Sequence, residues 1–122
     1  MIGTALIAVL ITPAKANTQL GPNQAVLAMA LEIASFAASH CPGIRLVEGA
    51  SSANVQSVGV TNEQTTGQEW KSAKLIGELY SKHAHAKNSS EFCERAWLML
   101  GPHPSVTKHS LLEKASPAQG NP

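Results

Sequence analysis

Two cysteines are the side chains of this 122-residue chain with the clearest covalent chemistry. Cys41 closes one apolar segment, and Cys93 lies within another. In an exported protein, two cysteines are most simply explained as one disulfide, because the compartment is oxidising. A bond between Cys41 and Cys93 would close a loop of about 50 residues and stabilise the fold by roughly 4 kcal/mol in the chain-entropy model. Two buried, unpaired thiols are the alternative.

Five histidines are the groups expected to titrate between pH 5 and 8. We predict that His40 and His83 lie near apolar surface, so that their protonation loosens packing and exposes binding patches. His83 and His85 form a His-x-His pattern, which suits metal binding on a strand but separates the two side chains by about 200° on a helix. A metal site at His83 and His85, completed by His103 or His109, is therefore the weaker alternative.

The pattern of acids and serines does not favour catalysis. All eight acidic residues are glutamate, so the aspartate that orients most catalytic triads is missing, and no serine lies in a Gly-x-Ser-x-Gly turn. Glu91 and Glu94 flank Cys93 with the spacing of solvated surface charges. Motifs for nucleotide, zinc-protease and redox chemistry are also missing from the sequence. We therefore predict no catalytic residues and no cofactor; a small metal-dependent hydrolase using His83 and His85 is the competing hypothesis.

Charge limits the classes of partner. Nine Lys and Arg against eight Glu provide no basic surface for the phosphates of a nucleic acid. A length of 122 residues suits one small domain. We expect a protein partner or client and no nucleic acid, and the sequence leaves the oligomeric state open.

Residues 1–16 are typical of a secretory signal peptide. An apolar run, Ile2 to Ile11, is followed by Pro13 and by an Ala-Lys-Ala cleavage pattern that ends at Ala16. The run is about half of the ~20 residues that span a bilayer, so we expect no permanent membrane span. Cleavage after Ala16 and a periplasmic or secreted location follow, although the usual basic residues before the apolar run are missing. An N-terminal strand or helix of the core is the alternative.

Helical periodicity in residues 17–102 predicts an all-α domain, a small bundle of about four helices held by one disulfide. Asn23 is predicted to cap a first helix from Gln24 to His40, and Pro42 and Gly43 to end it. Its apolar residues cover an arc of about 200°, which indicates a central position in the bundle.

A second long helix is predicted from Gln68 to Lys87. Its expected core face has Leu75 and Leu79 at the edge and comprises Trp70, Ala73, Ile76, Tyr80 and Ala84. The expected solvent face comprises Lys71, Lys74, Glu78, Lys82 and His85. The last helix is predicted to start at the cap Asn88 and to stop at Gly101, with Cys93 on its apolar face.

The remaining segments are expected to be short or irregular. Thr61 and Gln64 have the spacing of a capping box, and Ser51 or Ser52 could cap a short helix before it. Residues 103–122 are predicted to be a flexible C-terminal tail. A sheet is not expected, because alternating apolar residues are lacking over any useful length.

The segments around the cysteines carry a family resemblance. Cys41-Pro42-Gly43 at the end of an apolar helix, together with the later Phe92-Cys93-Glu94-Arg95-Ala96-Trp97 leading to Gly101-Pro102, resembles small exported bacterial helical proteins with one disulfide, mostly of unknown function. The layout is more distantly similar to that of HdeA-type periplasmic acid-stress chaperones. This resemblance implies a protein that binds unfolding clients in acid. An accessory subunit of an envelope assembly is a third, structural hypothesis.

Overall fold

The computed structural model describes residues 18–115, which form five α-helices and a two-stranded sheet. The elements in chain order are α1 (Pro22–His40), β1 (Ile44–Leu46), α2 (Ala50–Ser57), α3 (Asn62–Thr66), α4 (Gln68–Lys87), α5 (Ser89–Leu100) and β2 (Leu112–Lys114). The prediction of a small helical bundle held by one disulfide is confirmed. The predicted signal peptide, residues 1–16, lies outside the described residues, as do residues 116–122 of the predicted tail.

Helix α1 is central and begins two residues earlier than predicted. Gly21, not Asn23, is the N-cap, and the Gln24 side chain accepts a hydrogen bond of 2.9 Å from the Gly21 amide. Pro22 suits the first helical position, because its fixed φ is helical and an amide there would lack a partner within the helix. The helix ends at His40, before Cys41-Pro42. It buries mainly small side chains, which allow neighbouring helices to come close: Ala28, Ala30, Ala34 and Ala37.

The disulfide joins the end of α1 to α5. The sulfur atoms of Cys41 and Cys93 are 2.06 Å apart, and the Cα atoms 5.6 Å. Cys41 is buried and belongs to the larger of the two buried clusters described within residues 18–115. That core includes Phe92, Leu100, Leu111 and Leu112. The predicted pairing is confirmed.

A short sheet follows the disulfide, and its presence corrects two expectations. Strand β1 pairs antiparallel with β2, so that Ile44 is opposite Lys114 and Leu46 is opposite Leu112. Residues 111–115 therefore pack on the domain, and the expectation of a flexible tail from residue 103 does not hold for them. Leu111 and Leu112 are almost fully buried and cover the core beside Cys41. A three-residue strand is too short to show a sequence period, which is why the pattern did not reveal it.

Side-chain amides and caps hold the connecting segments. Asn54 is buried and exchanges two hydrogen bonds with the backbone of His109, which fixes the return of the chain toward β2. The predicted capping box of α3 is confirmed. The Thr61 hydroxyl accepts a hydrogen bond from the backbone amide of Gln64, and the Gln64 side-chain oxygen accepts one from the backbone amide of Thr61. Asn88 caps α5 as predicted, by accepting a hydrogen bond from the backbone amide of Glu91.

Between residues 18 and 115, no helix is long and apolar enough to cross a membrane.

Candidate interaction surface

Helix α4 packs on α1 through Trp70 near its first turn and through small side chains further along. A Cβ atom at Gly77 would lie 2.6 Å from the Met29 carbonyl oxygen, which is closer than such atoms can approach. Ala73 and Ser81, one turn to either side, are also buried. The Ser81 hydroxyl donates a 2.8 Å hydrogen bond to the Gly77 carbonyl, so its burial leaves no unsatisfied polar group. The two helix backbones can approach closely only on this face.

The large apolar side chains of α4 consequently face outward. Leu75 is 51% exposed, Ile76 56%, Leu79 56% and Tyr80 42%. We call these four residues the α4 strip. The predicted core face of α4 is confirmed for Trp70 and Ala73, which are buried. It is wrong for Ile76 and Tyr80, because the close contact with α1 is made at Gly77 and Ser81.

The charged residues beside the α4 strip are mostly paired within the molecule. Lys74 lies 3.7 Å from Glu32, and Lys82 lies 3.0 Å from Glu78. Glu69, in the first turn of α4, is exposed and accepts a 2.9 Å hydrogen bond from the Leu20 amide. These pairs leave the strip itself apolar along the outer side of the helix.

A groove between α4 and α5 continues the α4 strip. It has a volume of about 430 Å³, and Tyr80 belongs to both the strip and the groove. Ala84 and Phe92 provide further apolar lining. Basic groups also line the groove, among them Lys87 and Arg95, of which Arg95 is 3.3 Å from Glu91. The combined surface offers apolar contact area bordered by positive charge.

The structure places His40 with His85 rather than with His83. The His40 ring stacks on the Phe36 ring with 3.9 Å between centroids, and the centroid of the His85 ring lies 5.4 Å from that of His40. His40 Nδ1 is 2.9 Å from the Phe36 carbonyl oxygen, as an N–H donor to that oxygen would be. His83 instead is exposed and lines the groove. Both residues of the predicted pH-sensing pair therefore lie near apolar side chains, His40 against Phe36 and His83 in the groove with Tyr80 and Phe92, and their role in pH sensing stays a prediction.

His85 was missed because it was assigned to the solvent face of α4. Its ring contacts Phe36 on α1 and Phe92 on α5, at centroid distances of 5.5 and 5.8 Å. The burial of Gly77 and Ser81 rotates α4 toward α1, and this rotation brings His85 inward. The spacing of Phe36 and His40 predicts that these two side chains meet on α1, but it does not involve His85, which comes from another helix.

The candidate metal ligands do not converge in the structure. His83 lines the groove, while His85 packs on Phe36, so the two side chains serve different surfaces. No group of three or more His, Cys, Asp or Glu side chains within residues 18–115 is arranged to hold a metal ion. His109, one of the proposed tail ligands, uses its backbone to bind Asn54. The described residues therefore do not provide geometry for the metal-site hypothesis.

Fold and surface together define a small disulfide-linked helical bundle with an apolar helix face open to solvent. Comparison of the sequence with protein-family models and with curated proteins, and of the structure with solved structures, finds no match. The functional argument therefore depends on this chain's own geometry.

Proposed function

We propose that this chain is an exported, non-enzymatic protein that binds other polypeptides through the α4 strip. The observation that carries the proposal is the outward placement of Leu75, Ile76, Leu79 and Tyr80 side by side on one helix. Single exposed apolar residues are normal on protein surfaces, whereas contiguous ones mark interaction sites. The adjoining groove extends the same surface with Phe92 and Tyr80.

Export is supported by two independent features. The Cys41–Cys93 disulfide is of a kind that persists in oxidising compartments. The N-terminal residues, with their apolar run and Ala-Lys-Ala pattern, are typical of a signal peptide. A periplasmic or secreted location is part of the proposal for these reasons.

An acid response is supported by the contact between His40 and His85. When both imidazoles are protonated, two positive rings face each other with centroids 5.4 Å apart. The rings of Phe36 and Phe92 packed around them carry no charge, whereas the carbonyl ends of α1 and α4, where the two histidines lie, favour positive charge. We propose that the repulsion exceeds this favourable interaction, so that acid weakens the contact between the end of α1 and α4. This is the mechanism by which we propose that binding of clients increases in acid.

The test measures suppression of aggregation of a reduced, unfolding client protein at pH 7 and pH 4. We expect the purified protein to suppress aggregation, and more strongly at pH 4. The Ile76→Lys/Leu79→Lys variant should lose suppression at both pH values, because two charges then interrupt the apolar surface. His85→Gln should retain suppression at pH 7 and lose the increase at pH 4.

Leu98→Lys is the matched control. Leu98 lies on α5 and is 64% exposed, but it is not part of the α4 strip. We expect this variant to suppress aggregation as well as the original chain does. Equal suppression by all variants, or none by the original chain, would contradict binding through the α4 strip.

A further inference from the structure

We propose that the α4 strip takes a second copy of this chain, so that two α4 helices pack antiparallel about a twofold axis near Glu78. The inference rests on the proposed function in one respect, since it uses the same strip as the contact surface. It goes further by stating that a second copy of this chain occupies the α4 strip.

The charges at the two ends of α4 point to this arrangement. Glu69 and Lys87 are exposed and 18 residues apart. Eighteen residues are five complete turns of an α-helix, so both side chains lie along the same edge. Ile76 and Tyr80 lie between them at nearly the same angle around the helix axis. One edge of α4 therefore reads acid, apolar, apolar, base.

This order is self-complementary when a copy is turned end to end. Residues whose numbers sum to 156 then face each other, so that Glu69 meets Lys87 of the second copy and Ile76 meets Tyr80 of the second copy. In an antiparallel helix pair the same edges face each other, and a twofold axis makes every contact twice. Two opposite-charge pairs and two apolar pairs result. A parallel arrangement would instead bring opposite edges of the two helices together, so that Glu69 and Lys87 would not meet.

The remaining charges along α4 do not oppose this packing. Lys74 lies on the side of α4 that faces α1, 3.7 Å from Glu32 and about 80° around the helix axis from Lys82, so it stays outside the contact. Lys82, at the second edge, is 3.0 Å from Glu78 of its own chain. This pair offsets its charge before the copies meet.

The exposed area of the α4 strip is sufficient for a standard interface. Its four side chains are each about half exposed, which leaves roughly 100 Å² of each accessible and roughly 400 Å² per copy. Two copies would remove about 800 Å² of apolar surface from water. Standard interfaces bury about 1,600 Å² in total, a little more than half of it apolar. The α4 strips alone thus provide nearly the whole apolar part of such an interface.

Sedimentation equilibrium of the purified protein with a charge exchange is the test. We expect a monomer–dimer equilibrium with a Kd of about 1–10 µM at low salt. Lys87→Glu and Glu69→Lys, each alone, turn two attractive contacts into two repulsive ones and should each raise Kd about tenfold or more. The double variant Glu69→Lys/Lys87→Glu restores opposite charges across the axis and should recover most of the lost affinity.

Matched controls use exposed charges away from α4. Lys108→Glu and Glu94→Lys change the net charge by the same amounts, and both residues are exposed. We expect Kd to change less than about twofold in either variant. Recovery in the double variant also excludes misfolding as the cause of the single-variant effects, because a fold damaged at two sites would not regain affinity. Circular dichroism of each variant verifies the helix content.

Three results would overturn the dimer. One is a monomer at all concentrations up to about 200 µM. Another is a dimer whose Kd is unaffected by Lys87→Glu, and the last is a double variant no better than the singles. If the protein is monomeric and suppresses client aggregation, and Ile76→Lys/Leu79→Lys loses this suppression, the dimer is wrong and the proposed function stands. If the protein is monomeric and does not suppress aggregation, both the dimer and the proposed function are wrong.

Discussion

The C-terminal end of α1 and the contact between α1 and α4 are packed differently. At the C-terminal end of α1, large side chains such as Phe92, Leu100 and Leu112 fill the space between α1, α5 and the sheet, and a disulfide ties the elements together. Along α4, by contrast, Trp70 is the one large buried side chain, and the others are Ala73, Gly77 and Ser81. Four large apolar side chains of α4, the α4 strip, stay exposed. The comparison teaches that the apolar content of a helix does not by itself say where that content is buried.

The largest expected effect tests the disulfide region. Cys41→Ala/Cys93→Ala should reduce the free energy of unfolding by roughly 4 kcal/mol, because the unfolded chain is no longer restricted by a closed loop of 52 residues. Urea denaturation measures the change, with the reduced original chain as a second route to the same state. If the variant unfolds at nearly the same urea concentration as the oxidised chain, the large side chains alone stabilise this end.

The next effect tests the close contact of α1 and α4. Gly77→Ala should destabilise the fold by about 1–3 kcal/mol, because the added Cβ would lie 2.6 Å from the Met29 carbonyl oxygen and the helices must separate. The sign is diagnostic, since replacing a helical glycine by alanine normally stabilises by about 1 kcal/mol. Thermal denaturation gives the difference.

Ser72→Ala is the matched control for Gly77→Ala. Ser72 is exposed on the same helix, and its hydroxyl accepts a 3.4 Å hydrogen bond from the Gln68 side chain, which water can replace. Helix propensity therefore dominates, and stability should rise by a few tenths of a kcal/mol. A Gly77→Ala variant that is also stabilised would show that α4 does not pack as closely as the structure indicates.

The smallest expected effect contrasts two leucines directly. Leu79→Ala should change the free energy of unfolding by less than about 0.5 kcal/mol, because Leu79 is 56% exposed. Leu112→Ala, at the fully buried end, should cost about 2–5 kcal/mol through lost contacts and a new cavity. Urea denaturation of both variants provides the comparison. A loss at Leu79 as large as that at Leu112 would mean that this side chain is buried in the folded protein.

Local sequence patterns predicted well those structural features that depend on only a few neighbouring residues. The caps at Thr61 and Asn88 hold in the structure, because a capping hydrogen bond spans only three residues. The pairing of Cys41 with Cys93 was also predictable, since two cysteines allow a single intramolecular bond. The sheet was not, because strands of three residues separated by more than sixty leave no local pattern.

The proposed binding surface was the part that sequence reasoning misplaced. Hydrophobicity predicts Ile76 and Tyr80 in the core and His85 in solvent, whereas the structure exposes the first two and packs His85 against Phe36. The contact between His40 and His85 was not predicted. Each error has the same origin, namely the orientation of α4 about its own axis.

The sequence by itself determined the helix boundaries to within about two residues, the covalent link and the presence of an amphipathic α4. Periodicity, caps and cysteines are properties of short segments, so they can be read without knowing the neighbours. Only the tertiary structure decided which side of α4 meets α1 and which stays in water. That choice depends on steric fit between two surfaces, and the closest approach of two backbones falls where Gly77 has no side chain to prevent it.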